Sequence, residues 1–262
     1  MSPLQPSSRP ADYLLLHGLG SCAFDWDQVI ENLRGRVVAP DAPFHGGRGP
    51  ETDLSFEAFA LDALSAADAA GFDRFVVGGI SMGAATALTI ASLQPDRLAG
   101  IVIVAPAWFR TREPVNLRRL QKIGKIVERD GLEAAFAVVS RVPPVATWSS
   151  IDRLKYQQRF LAAVPEAVGL ALRSLPAQLP VLEIDPIRSG TPARVVTWGD
   201  DPIHPEAVAA SVASLLGVDC EVLVRPKDRS VEGEILARLL TGVHFAGDNR
   251  PHTELSELLE TE

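Results

Sequence analysis

Phe75 to Ala85 read FVVGGISMGAA. An apolar run rich in valine meets Gly79-Ile80-Ser81-Met82-Gly83, and small helix-forming residues follow. This is G-x-S-x-G in the setting that gives the pattern meaning, a strand, a sharp turn and a helix. Such a turn forces unusual backbone angles on its central residue, so the neighbours must lack bulk. Gly79 and Gly83 meet that need, and Ala84 and Ala85 let the helix approach the sheet. Ser81 then stands at the positive end of a helix, where developing negative charge is favoured.

Outward from this turn, strand and helix patterns alternate. Tyr13 to Leu16 is a short apolar strand ending at His17-Gly18-Leu19-Gly20, and Phe24 to Leu33 has helical spacing. Arg36 to Ala39 is a second strand. Ser55 caps an amphipathic helix running to Ala70. Ala84 to Leu93 is helical and Leu98 to Val104 is another buried strand. The rhythm breaks at Ala105-Pro106-Ala107-Trp108. Helical patterns then follow over 117–129, 132–139, 151–163 and 166–175. Strands return at Arg194–Trp198 and Cys220–Val224, separated by a helix from Pro205 to Leu216. The alternation predicts an α/β fold with a mostly parallel sheet, right-handed crossovers and helices on both faces. Residues 1–10 are expected to form a disordered tail. Residues 11–107 and 192–262 form the core, interrupted by a helical lid over 108–191.

The 262 residues are 47% hydrophobic, enough for one large α/β domain. A net charge of −8 argues against nucleic acid as the main partner. Cys22 and Cys220 share no metal-type spacing and are expected to be free thiols in a reducing compartment. The first twelve residues have no apolar stretch of the signal-peptide kind. The long apolar run from Phe75 to Leu93 is broken by Gly, Ser and Thr, so it is expected to be a buried strand and helix rather than a membrane span. A cytoplasmic protein is the expectation, with oligomeric state open. Charge is unevenly spread. Trp108 to Gly190 carry 13 Lys and Arg against 8 Asp and Glu, a net of +5, and the remainder carries 12 against 25, a net of −13. A basic lid docking on an acidic body accounts for this, as does a lid that steers an anionic substrate or an acidic carrier domain.

Four segments in order, LLLHGLG, APDAPFHGG, GISMGA and WGDDPIHP, resemble the α/β-hydrolase superfamily in its lidded, serine-nucleophile form. The resemblance runs from about Tyr13 to Pro106 and returns from Pro192 to about Val224. It implies a serine hydrolase acting on a carboxylic ester, thioester or lactone of a small metabolite, with no metal or organic cofactor. A serine hydroxyl needs a base to take its proton, and a carboxylate to orient that base. Ser81 is the implied nucleophile. The backbone N–H groups of Leu19 and Met82 are the implied oxyanion donors. His17 and His45 are read as structural, with Phe44 replacing the glycine usual before such a histidine. For the acid, alignment on Pro-Ile-x-Pro selects Asp201, while counting from Gly199 leaves Asp200 open.

The base is harder to place. The loop after the last strand, Arg225-Pro226-Lys227-Asp228-Arg229-Ser230, has no histidine. His244 lies in Gly-Val-His-Phe, with a proline seven residues on, and is the first choice. It requires the helix over 231–240 to be inserted before the catalytic loop. Otherwise that helix is the ordinary last one of the fold, and His244 sits in a tail. His204 and His252 are alternatives, the former only three residues from the acid. Trp108 and Trp148 are candidates to line the substrate pocket, with lid-to-core packing as the plainer role. If no histidine serves Ser81, the scaffold would suit a non-hydrolytic enzyme (a cyclase, lyase or proton-transfer catalyst) or a ligand-binding protein.

Overall fold

A computed structural model describes residues 10–179, 190–199 and 201–244. Six parallel strands form one sheet: β1 (Asp12–Leu16), β2 (Arg36–Val38), β3 (Phe75–Ile80), β4 (Leu98–Val104), β5 (Ala193–Trp198) and β6 (Cys220–Leu223). Their order across the sheet is β2-β1-β3-β4-β5-β6. The helices are α1 (Asp27–Ile30), α2 (Phe56–Ala69), α3 (Met82–Leu93), α4 (Arg118–Val139), α5 (Ser150–Leu161), α6 (Pro165–Ser174), α7 (Glu206–Leu216) and α8 (Arg229–His244).

The two-residue period of a strand sorts the core onto two faces. Leu14, Leu16, Phe75, Val77, Ile101 and Ile103 face α2, α3 and α7, where they meet Ala60, Leu64, Leu88 and Val212. Tyr13, Leu15, Val76, Val102, Val104 and Val196 face the other way, onto Val29 of α1 and Leu236 and Leu240 of α8. Central strands buried on both sides explain why the sequence shows continuous apolar runs there rather than alternation. Ser55 caps α2 as expected, its hydroxyl accepting the Ala58 N–H at 3.1 Å.

Between β4 and β5 the chain passes through α4, α5 and α6. The expected break between two helices near residue 130 is a kink inside α4, where Gly131 takes φ 87°. Leu117, Ile123, Phe136, Tyr156 and Leu172 from this region share an apolar cluster with Leu19, Phe24, Phe56, Met82 and Trp108 of the sheet side. The helical region therefore packs over the carboxyl ends of the strands. Among the described residues, no single helix is long and apolar enough to cross a membrane. Cys22 and Cys220 are both free. The expected tail at 1–10 lies almost wholly outside the described residues.

The last helix decides one of the open questions. α8 packs on the sheet, so it is the ordinary closing helix of the fold. It begins beside the strands' carboxyl ends and runs about 24 Å at 1.5 Å per residue. Its far end reaches the opposite edge. A side chain at Gly100, near the start of β4, would meet Val243, and one at Gly242 would meet Arg194 at the start of β5. His244 closes α8 at that amino-terminal edge.

The junction of β3 and α3 is closely packed. A Cβ on Gly83 would fall inside the carbonyl of Leu16 at the end of β1, and one on Gly79 inside the carbonyl of Gly83. Both obstacles are backbone and cannot rotate away. Gly83→Val is expected to lower the unfolding free energy by about 3 kcal/mol or more, because overpacking at a backbone contact cannot be relieved by a rotamer change. Urea unfolding checks this, and an unchanged midpoint would mean that α3 does not start where it is placed.

Candidate active site

In a parallel sheet the loops at the carboxyl ends of the strands converge on one edge. Here β1 delivers His17 to Gly20, β3 delivers Ser81, β5 delivers Asp201 to His204, and β6 delivers Arg225. Ser81 adopts φ 55° and ψ −109°, a region that L-residues rarely occupy. Its N–H donates to the Val104 carbonyl at 3.0 Å, which ties the turn to β4. The residue is 8% exposed, so its hydroxyl faces a sheltered cleft rather than open solvent.

The imidazole that meets Ser81 belongs to His204. Its Nε2 lies 2.9 Å from Ser81 Oγ, and its Nδ1 lies 2.8 Å from Asp201 Oδ2. A carboxylate can only accept, so Nδ1 carries the hydrogen and Nε2 is free to take the proton of Ser81. This replaces the choice of His244, which stands at the far edge of the sheet. Asp200 and His252 lie outside the described residues. A histidine is therefore present at Ser81, and the premise of a scaffold without one does not hold.

The closeness of His204 to its acid is explained by a turn. Asp201 Oδ1 accepts the N–H of Ile203 at 2.9 Å and of His204 at 3.3 Å. The Asp201 carbonyl also accepts the His204 N–H at 3.2 Å. The chain curls around the carboxylate, and the ring swings back onto its second oxygen. Asp-Pro at a strand end is a turn opener, and that was the signal in the sequence. Burial pushes the Asp201 carboxyl up. The hydrogen bond and charge of His204, the Arg225 guanidinium and the Ile203 amide outweigh it and hold the carboxyl down at about 2.

Three supporting residues were not read from the sequence. Arg225 occupies the loop after β6 where a histidine was sought, and its Nη1 lies 3.4 Å from Asp201 Oδ2. Asn116 Nδ2 donates to the carbonyls of Ala107 and Ile203, both at 2.7 Å, pinning the His204 turn to the segment that leads into α4. A third, Asp25, shapes the loop after β1. It accepts the Gly18 N–H at 2.9 Å and the Ser21 hydroxyl at 2.6 Å. Leu19 sits within that loop and lines the cleft. Met82 begins α3, so its N–H has no partner within its own helix.

His17 and His45 are bonded as structural groups. His17 Nδ1 donates to the Gly18 carbonyl at 2.8 Å, and Nε2 accepts the Ala42 N–H at 2.9 Å. His45 Nδ1 donates to the Pro43 carbonyl at 2.8 Å. Phe44 beside it takes a left-handed backbone, φ 66°, with its ring buried against Phe59.

A cavity of about 200 Å³ opens over Ser81 and His204, walled by residues that include Leu19, Ile123, Trp148, Tyr156 and Leu172. Trp148 lies in the cavity wall. Trp108 does not: it is sealed in the apolar cluster, with its ring 5.4 Å from Phe56. Its role is packing beneath the helical region.

The profile of the Alpha/beta hydrolase family matches residues 13–230. The chain belongs to that family. As a member it has the α/β-hydrolase fold. It is 29% identical over 223 residues to the "Dihydrolipoyllysine-residue acetyltransferase component of acetoin cleaving system" of Pseudomonas putida, covering 82% of this chain and 57% of that protein. It is 30% identical over 150 residues to "Lipase LipV" of Mycobacterium tuberculosis, covering 55% and 54%. The chain thus spans little more than half of either relative. A thermophilic esterase from Thermogutta terrifontis superposes with a TM-score of 0.68 at 22% identity, covering 90% of this chain and 88% of that one. At that identity the likeness speaks for the fold.

His45 makes the fold sensitive to acid. Burial above all, with nearby His17, pushes its pKa down to about 3. An unfolded histidine titrates near 6.5. The folded value is the lower one, so this contribution is complete above about pH 6.5 and is lost as pH falls toward 3. One proton gained on unfolding corresponds to a slope of about 1.4 kcal/mol per pH unit. Between about pH 6 and pH 4, wild type is expected to lose stability faster than His45→Asn by nearly that slope. Urea unfolding across the range measures it, and parallel curves would refute the burial of a neutral ring.

Proposed function

We propose that the protein is a serine hydrolase that cleaves a carboxylic ester, thioester or lactone of a small molecule through an acyl-enzyme. The observation that carries this reading is the hydrogen-bonded line from Ser81 Oγ through His204 to Asp201. Ser81 Oγ attacks the carbonyl carbon as its proton passes to His204 Nε2. The carbonyl oxygen becomes an oxyanion, and the N–H groups of Leu19 and Met82 are proposed to hold it; one such donor contributes about 10²–10³ in kcat. Collapse of the tetrahedral intermediate expels the alcohol or thiol, which takes the proton from His204. Water then attacks the acyl carbon, His204 takes its proton and returns it to Ser81, and the acid leaves.

Asp201 keeps Nδ1 protonated and stabilises the transient imidazolium. Arg225 holds the carboxylate charged. The helices between β4 and β5 are proposed to act as the lid that selects the acyl group, with Trp148 in its wall. The name of the lipase relative from M. tuberculosis supports ester chemistry of this kind.

Labelling with a fluorophosphonate tests the assignment. Stoichiometric modification of Ser81 is expected, absent in Ser81→Ala and slowed by about 10³-fold or more in His204→Ala. His244→Ala is expected to label at the wild-type rate. Labelling indifferent to His204 would remove that residue from the mechanism.

A further inference from the structure

The far wall of the cavity contains a buried cation that no carboxylate among the described residues pairs with directly. Arg229, the first residue of α8, is 7% exposed. Its guanidinium carbon lies 4.2 Å from the Phe24 ring centre and 4.8 Å from that of Trp148, so it is held against two aromatic faces. Nη2 donates to the Phe24 carbonyl at 3.1 Å. Among the described residues that is its only hydrogen bond, and no carboxylate lies within the 4.0 Å of an ion pair. A buried charge without a partner is costly, and the remaining N–H groups form a fork suited to a carboxylate.

A second donor touches the same two rings. Tyr156 packs 6.1 Å from Phe24 and 5.3 Å from Trp148, and its hydroxyl has no hydrogen-bond partner among the described residues. Burial and the nearby Asp25 and Cys22 push its phenol up, so it stays protonated and can donate. Both Tyr156 and Arg229 line the cavity that holds Ser81 and His204.

Most other charges on this wall are engaged. Asp25 is taken up by Gly18 and Ser21. Glu232 faces Arg225 at 3.8 Å and also feels the charge of Arg229 from beyond ion-pair range, while burial raises its pKa. Arg225 is also bound to Asp201. Asp27 lies near enough to feel the charge of Arg229, but beyond ion-pair range. Arg119 and Arg229 are the cations of the cavity lining that no carboxylate pairs with among the described residues, and of the two Arg229 is the buried one.

We propose that Arg229 and Tyr156 form a carboxylate subsite, and that the substrate is an ester or thioester whose acyl chain ends in a carboxylate. This rests on the hydrolase reading above. The charge is placed on the acyl side because that part stays bound to Ser81 in the roofed cavity while the alcohol departs. The apolar wall between the two ends suits the methylenes of a short dicarboxylic half-ester.

Two measurements test it. The first compares kcat/KM for the p-nitrophenyl monoester of adipic acid and for p-nitrophenyl hexanoate, which lacks only the terminal charge. Wild type is expected to prefer the adipate ester by at least about tenfold. The ratio is expected to collapse toward unity in Arg229→Met, to fall partly in Arg229→Lys, which keeps the charge and loses the fork, and to fall in Tyr156→Phe. Melting curves establish that each variant is folded, and Tyr156→Phe removes a single oxygen should Arg229→Met fail that check. The second titrates adipate itself and follows tryptophan fluorescence, since Trp148 lies on the guanidinium. Saturation in wild type, weakened by at least about tenfold in Arg229→Met or, if that variant does not fold, weakened in Tyr156→Phe, is expected. If both esters turn over without preference, or the preference survives both Arg229→Met and Tyr156→Phe, the subsite is wrong and the hydrolase reading stands. If neither ester turns over, the hydrolase reading fails for these esters, and the titration alone decides the subsite: saturable, Arg229-dependent binding upholds it and no binding overturns it.

Discussion

The backbone bend at Ser81 is the constraint on which the rest depends. Its φ of 55° is strained for any residue with a side chain. The strain persists because the surroundings over-determine it. Ser81 N–H is bound to β4, the first turn of α3 lies against the end of β1, and Gly79 and Gly83 leave no room for a different path. The hydroxyl is consequently raised at the edge of the sheet rather than folded back onto its own helix.

Everything that meets this hydroxyl arrives from another strand end. The Asp201–His204 turn follows β5, the Asp25-braced loop follows β1, and Arg225 follows β6. The Asp201–His204 turn is fastened by Asn116 to the segment leading to α4, the loop after β1 by Asp25 to the Gly18 N–H, and Arg225 by its charge to Asp201. Such fastening lets the reacting groups keep their distances without reorganising, which is the condition for electrostatic stabilisation to act. Asn116 couples the helical region to the same turn, so the cover of the site and the position of its imidazole share one side-chain amide.

The apolar roof sets the electrostatic conditions. Ile123, Trp148, Tyr156 and Leu172 give the cavity an apolar lining, and a low local dielectric strengthens the pull of Asp201 and Arg225 on neighbouring groups. The same apolar setting makes the position of Arg229 consequential, since a guanidinium held among rings is a strong recognition element for an anion that enters the cleft. The surplus of basic residues read between Trp108 and Gly190 is a separate matter. Arg229 lies outside that stretch, on the last helix.

Local residue order alone pointed to the strands, the turn at Ser81, the helical region between β4 and β5, the Asp200–Asp201 pair from which the acid comes, and the structural roles of His17 and His45. Each of these depends on neighbours within a few positions: apolar runs, glycines without side chains, a proline after an aspartate. The partner of Ser81 is a different kind of fact. It sits 123 positions away, and its choice turned on whether 231–240 was an inserted helix or the last one of the sheet. Only packing decided that. α8 carries His244 to the wrong edge, while a carboxylate that caps its own turn brings His204 to the right one. Trp108 and Trp148 were likewise indistinguishable as residue types, and only the three-dimensional arrangement buried one and opened the other to the cavity.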